Sequence, residues 1–148
     1  MFAVPPNTLP NASESGLAHP VRVAREVAED RRRWAHRVRY DRDARWSLLL
    51  YSTDEYEVWV LSWLPGQRTE LHDHGGSDGA FTVVSGVLTE RAVRSDSGRH
   101  DAEALHVLVP GQSRVFGPHY AHQVHNEGPD PAISVHVYRP ARAVIPTT

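Results

Sequence analysis

Residues 66–86 read GQRTELHDHGGSDGAFTVVSG and contain the histidine pair of His72-Asp73-His74. The pattern predicts a strand over Leu71–His74, and side chains two residues apart on a strand project from the same face. Two imidazoles placed in this way have the geometry that a metal ion takes from ligands on one strand. Gly75-Gly76 follow directly, which indicates that the backbone bends close to another group there.

The composition excludes several kinds of site before any motif is considered. The chain has 148 residues, the length of one domain, and a formal net charge of −2, which argues against nucleic-acid binding through a basic surface. It has no cysteine, and all 16 basic residues are arginine. Disulfides, thiolate metal sites and cysteine nucleophiles are therefore excluded, as are lysine Schiff bases and the lysine-containing phosphate loop. Histidine, with 10 residues, is the remaining candidate for chemistry.

The organisation along the chain predicts an extended arm followed by one domain. Residues 1–18 are proline-rich and polar, and they lack the basic start and unbroken apolar run of a secretory signal. Residues 19–148 are expected to form the domain, with a helical segment over 19–40 and a barrel over 45–140. Apolar residues at three- and four-residue spacing indicate the helix. We expect a cytoplasmic protein that has no membrane segment, and either a monomer or a weak homodimer.

Short alternating segments separated by turn residues predict an all-β body after residue 40. Three hairpins are expected: Arg45–Tyr51 with Glu57–Trp63, Ala80–Val84 with Val87–Glu90 through Ser85-Gly86, and Ala121–Asn126 with Ala132–Tyr138. Eight or more such strands are typical of an antiparallel sandwich or barrel.

The third hairpin suggests where a further metal ligand lies. If it turns around Pro129, His122 lies opposite His136. Period-two alternation then places Ser134, His136 and Tyr138 on one face. Interior polar groups cost about 1–3 kcal/mol each unless they are paired, so this cluster indicates a functional site.

These residues together resemble the two-part signature of the cupin superfamily. Gly66 lies six residues before His72, Gly86 lies twelve after His74, and His122 is followed four residues later by Asn126. The resemblance implies a small double-stranded β-helix, a jelly-roll barrel with one divalent metal among inward-pointing side chains. The glutamate ligand usual in that superfamily would stand at position 79, which is Gly79 here.

The missing glutamate, the string HDHGGSDG and the later SVHVY are similar to the thiol dioxygenase branch, the cysteine dioxygenases. The resemblance implies iron(II) held by His72, His74 and His122, with Ser134, His136 and Tyr138 as a hydrogen-bonded group beside it. Tyr138 would donate a hydrogen bond to dioxygen or to the substrate carboxylate. Animal members link a cysteine at the Gly79 position to the tyrosine, so this chain resembles the bacterial enzymes that lack the link.

An amino-acid substrate also needs a carboxylate clamp, for which arginine's bidentate fork is suited. Arg45 is the candidate, because it stands near where the family keeps its carboxylate-binding arginine. Arg42 is the nearest rival, and Arg68 and Arg139 are further alternatives. Asp43 stands where animal members carry a tyrosine.

The function expected from this resemblance is oxidation of cysteine to cysteine sulfinate by dioxygen. Another small thiol carboxylate, such as 3-mercaptopropionate, is the first alternative. A different metal-dependent cupin enzyme and a ligand-binding cupin remain open as well. The expected partners are therefore a small thiol and dioxygen, without nucleic acid or membrane.

Overall fold

The computed structural model describes residues 19–96, 99–118 and 120–139, so the predicted arm at residues 1–18 lies outside the described residues. Helix α1 spans Pro20–Glu29, and short 3-10 turns follow at Arg31–Arg33 and Ala35–Arg37. The strands are β1 (Trp46–Ser52), β2 (Glu57–Trp63), β3 (Asp78–Ser85), β4 (Leu88–Asp96), β5 (Arg99–Leu108), β6 (Ser113–Phe116), β7 (Ala121–His125) and β8 (Ala132–Arg139). No helix in the described residues has the length and apolar character needed to cross a membrane.

His19 caps the N-terminus of helix α1, and its Nδ1 accepts a hydrogen bond from the Val21 backbone N–H at 3.1 Å. The predicted helical segment over 19–40 contains only this one α-helix, because Asp30 leaves helical geometry with φ −97° and ψ 73°. The Trp34 indole then donates to the carbonyl of Val27 at 2.8 Å. This bond holds the segment that follows the helix against the helix end.

The strands form two antiparallel sheets. The larger sheet has the order β1-β2-β8-β3-β6, and the smaller one has the order β5-β4-β7. The first predicted hairpin is confirmed, since β1 pairs with β2.

The other two predicted hairpins are wrong, because β3 and β4 lie in different sheets, as do β7 and β8. The Ser85-Gly86 connection crosses between the sheets instead of reversing the chain within one. Gly86 has φ +75°, and a Cβ there would lie 2.7 Å from the Cα of Ala132. Glycine is thus required for this close approach to the start of β8.

The central strands of the larger sheet are buried on both faces, and every residue of β2 is buried. Its outer face packs against helix α1 through an apolar cluster that includes Val58, Val60, Val135 and Val137. Its inner face turns toward the smaller sheet, and residues of both sheets form a second cluster between them: Trp59, Leu61, Trp63, Phe81, Val83, Leu88, Leu108, Phe116, Val124, Ala132 and Tyr138. His72, His74, His122 and His136 lie on this inner side, between the two sheets.

Candidate metal centre and its cavity

His72, His74 and His122 come together between the two sheets. Their candidate ligand atoms all lie within 4.8 Å of one another, and Nε2 of His74 is 3.2 Å from Nε2 of His122. Two nitrogens that share an ion at about 2.1 Å each, at a right angle, lie about 3 Å apart. The group can therefore hold one metal ion.

The backbone that brings these rings together differs from the prediction. Leu71–His74 is not a strand, and His72 forms an isolated bridge to His122. The two residues exchange backbone hydrogen bonds of 3.0 Å and 2.8 Å. His122 and His136 are not paired across a hairpin either, since β7 and β8 belong to opposite sheets. Their side chains approach the same interior from the two sides of the barrel.

The outer ring nitrogens of two of these histidines are held by oxygen acceptors. Nδ1 of His122 lies 2.8 Å from Oε2 of Glu90, and Nδ1 of His72 lies 2.6 Å from the carbonyl oxygen of Glu70. An oxygen acceptor at Nδ1 favours the tautomer with a proton there, which leaves the Nε2 lone pair for a metal. Burial lowers the pKa of His72, which also favours the neutral ligand form.

Glu90 is a buried residue of the site that sequence reasoning missed. It has no exposed surface, and its Oε1 accepts hydrogen bonds from Arg114 Nε at 2.8 Å and from the Tyr120 hydroxyl at 3.2 Å. Burial raises its pKa, but the hydrogen bond from His122 and the charge of Arg114 outweigh this effect and hold the pKa below the ordinary value. The signal was available in the alternation of β4, where Glu90 occupies an inward position between Leu88 and Ala92.

Gly79 leaves no room for a fourth ligand from its position. A Cβ there would lie 2.8 Å from Cζ of Phe116 and against the carbonyl oxygen of Val137. The Phe116 ring is itself stacked on His74, with centroids 4.6 Å apart. A glutamate at position 79 would have to displace this ring, so the donor set fits a metal held by imidazoles alone.

Ser134, His136 and Tyr138 share the inner face of β8, as predicted. The Trp63 indole donates to Ser134 Oγ at 2.9 Å, and Ser134 Oγ lies 2.7 Å from His136 Nε2. The His136 ring stacks on Phe81 with an interplanar angle of 10°. Burial, together with the nearby charge of Arg45, holds the pKa of His136 well below its usual value of 6.5. The ring is therefore neutral and fixed in position at neutral pH.

Arg45 reaches the same interior from the residue just before β1. Its guanidinium carbon lies 4.9 Å from the centre of the Trp63 ring. Its Nε is buried and makes no hydrogen bond to any described residue. Burial lowers the pKa of Arg45 from the very high value usual for a guanidinium, so the side chain stays charged. Arg42, its nearest rival, is exposed.

Arg45, His72, His122, His136 and Tyr138 face one cavity that is partly open to solvent. Its described lining consists of Arg45, Ser47, Trp59, Leu61, Thr69, His72, His122, Val124, His136 and Tyr138. A guanidinium, a phenol and imidazoles lie on an otherwise largely apolar wall. The cavity is therefore suited to a small anionic ligand.

Comparison with known proteins agrees with this geometry. Residues 20–146 match the family described as cysteine dioxygenase type I, which confirms the resemblance found in the sequence. Among solved structures, a protein from Thermus thermophilus is 25% identical over 73% of this chain and 94% of its own, with a TM-score of 0.62.

Two further structures share the fold. A double-stranded β-helix protein from Klebsiella pneumoniae is 24% identical over 74% of this chain and 89% of its own, with a TM-score of 0.60. A cupin superfamily protein from Desulfitobacterium hafniense is 15% identical over 72% and 87%, with a TM-score of 0.56. The predicted all-β fold of the cupin type, preceded by a helix, is confirmed.

Proposed function

Because the chain belongs to the cysteine dioxygenase type I family, we propose that it is an iron(II)-dependent dioxygenase that converts cysteine to cysteine sulfinate. The thiol R–SH and O2 give R–SO2H, so both oxygen atoms end on the sulfur, which is oxidised as dioxygen is reduced. The observation that carries the proposal is the three-histidine group beside an arginine-lined cavity, without space for a carboxylate ligand at Gly79.

His72, His74 and His122 would hold the iron through their Nε2 atoms. Neutral imidazoles do not reduce the charge of a dication, and this donor set leaves positions open for substrate. Iron(II), when bound, supplies the positive charge that lowers the pKa of a substrate thiol and the redox chemistry that dioxygen requires.

Arg45 would bind the substrate carboxylate. Its buried Nε lacks a hydrogen-bond acceptor among the described residues, and a carboxylate would provide one. The guanidinium plane is supported by the Trp63 ring, which limits the orientations that the fork can take. A bidentate contact there would place the rest of a small substrate inside the cavity.

Tyr138 would donate a hydrogen bond to dioxygen or to the substrate carboxylate from its place in the cavity wall. The His136 ring lies on the same inner face and is held in one orientation by Phe81 and Ser134. Because the Trp63 indole can only donate, Ser134 Oγ accepts from it and has its own proton available for His136 Nε2.

The cavity lining also supports a second candidate substrate, 3-mercaptopropionate. The described lining contains no aspartate or glutamate, so it offers no carboxylate to an ammonium group. A thiol carboxylate that lacks the amine would lose no ion pair with the protein.

Oxygen uptake after anaerobic reconstitution with iron(II) tests the proposal. We expect uptake with cysteine or 3-mercaptopropionate, and the ratio of the two kcat/KM values identifies the preferred substrate. His74→Ala should abolish the activity, whereas His36→Ala, which changes an exposed histidine, should not. Absence of uptake with every thiol, in protein shown to contain iron, would contradict the proposal.

A further inference from the structure

Glu90 lies behind His122, on the side of the ring away from the other two histidines. We infer that Glu90 is a positioning residue that fixes the tautomer and orientation of His122 and thereby strengthens metal binding. The inference rests on the proposed function in one respect only, namely that His122 binds the metal.

The two ring nitrogens of His122 have different partners. Nδ1 lies 2.8 Å from Oε2 of Glu90, while Nε2 points to the histidine group and lies 3.2 Å from His74 Nε2. A carboxylate can only accept, so His122 donates its Nδ1 proton to it. The lone pair is consequently on Nε2, where a metal ligand needs it.

The carboxylate is itself held by donors from other strands. Arg114 of β6 and Tyr120, just before β7, both donate to Oε1, and Arg114 also donates to the Tyr120 hydroxyl at 3.1 Å. Oε1 is thus engaged by a cation and a hydroxyl, which leaves Oε2 directed at His122. The three side chains hold the glutamate ionised and in one orientation.

A packing role alone does not account for a glutamate at this position. Burying a carboxylate costs several kcal/mol, and an apolar side chain of similar size often replaces a buried ion pair without loss of stability. Leu88 and Ala92, its neighbours on the same inward face, are apolar. The charge is explained if it acts on His122, because a hydrogen-bonded carboxylate makes the imidazole a stronger ligand.

Glu90→Gln tests the inference with little change in shape. The glutamine amide has a single acceptor oxygen, so it cannot accept from both His122 Nδ1–H and the Arg114 and Tyr120 donors. If the glutamine NH2 group faces His122 instead, Nδ1 of His122 must accept from it, and the ring proton then lies on Nε2. A protonated Nε2 has no lone pair with which to bind the metal. We expect the Kd for cobalt(II), measured by chelator competition, to rise about 10- to 100-fold.

Two comparison variants distinguish an error in the proposed metal site from an error in the inference about Glu90. Glu103→Gln removes a carboxylate from an exposed ion pair with Arg91 on the smaller sheet and should change the cobalt Kd less than about twofold. His122→Ala should lose binding at this site. If His122→Ala binds cobalt as the wild type does, the proposed metal site is wrong. If Glu90→Gln binds cobalt as the wild type does while His122→Ala loses binding, the inference about Glu90 is wrong and the proposed function stands.

The tautomer of His122 provides a second measurement, which requires no folded variant. Long-range 1H–15N correlation spectra of the metal-free wild-type chain should show His122 protonated on Nδ1. A proton on Nε2 would overturn the inference.

Discussion

Replacing Arg45 by methionine should weaken the enzyme toward thiols that carry a carboxylate. The variant removes the guanidinium while keeping an unbranched side chain that can lie against Trp63, on which Arg45 now packs. Loss of one member of a buried, hydrogen-bonded charge pair costs about 2–4 kcal/mol, within the range measured for such truncations. We therefore expect kcat/KM for cysteine to fall about 30- to 900-fold.

The loss should depend on the substrate. A carboxylate that does not react contributes binding in both the ground state and the transition state, so the change should be mainly in KM. Initial rates of oxygen uptake would be compared for cysteine, 3-mercaptopropionate and cysteamine, which has no carboxylate. Arg42→Met, at an exposed position, is the matched control and should leave all three unchanged. An equal loss with cysteamine, or no loss with cysteine, would refute the assignment of Arg45 as the clamp.

Three other predictions concern stability. Gly79→Ala should lower the free energy of unfolding by about 1–3 kcal/mol because its Cβ would meet Phe116 and Val137. The control Gly76→Ala, whose Cβ would have nothing within 4 Å, should change the free energy of unfolding by less than about 0.5 kcal/mol. Equal urea midpoints for the two variants would refute the packing argument. Cobalt(II) at about 100 times its Kd should stabilise the wild type by about 2.7 kcal/mol, and a thermal shift retained in His74→Ala would contradict the three-histidine site. Because the folded-state pKa of His136 is lowered, the unfolded state binds more protons as the pH falls through about 6.5, and the free energy of unfolding decreases there by up to about 1.4 kcal/mol per pH unit. In urea unfolding of the metal-free chain at several pH values, His136→Gln should remove the part of this pH dependence that His136 contributes. A pH dependence equal to that of the wild type would be inconsistent with a neutral His136.

The sequence was sufficient to identify the family and several of the residues that face the barrel interior. Alternation along β8 placed Ser134, His136 and Tyr138 on one face correctly, because side-chain direction on a strand is a local property. Spacing around His72, His74 and His122 identified the signature of the fold. Neither inference required knowledge of which strands pair.

Strand pairing could not be predicted in the same way. Neighbouring strands along a chain often pair, but here β3 and β4, and likewise β7 and β8, cross between sheets. Glu90 was missed for a related reason, since its contact with His122 joins residues 32 positions apart. Alternation in β4 predicts that Glu90 points inward, but only the pairing of β4 with β7 brings it to His122.

The most direct test of the proposed reaction is oxidation under 18O2. Iron(II)-loaded protein would be incubated with its thiol substrate in 18O2 and ordinary water, and the product analysed by mass spectrometry. The proposal predicts a sulfinate in which both oxygen atoms carry the label. A product with one labelled oxygen, or a disulfide as the sole product, would contradict it.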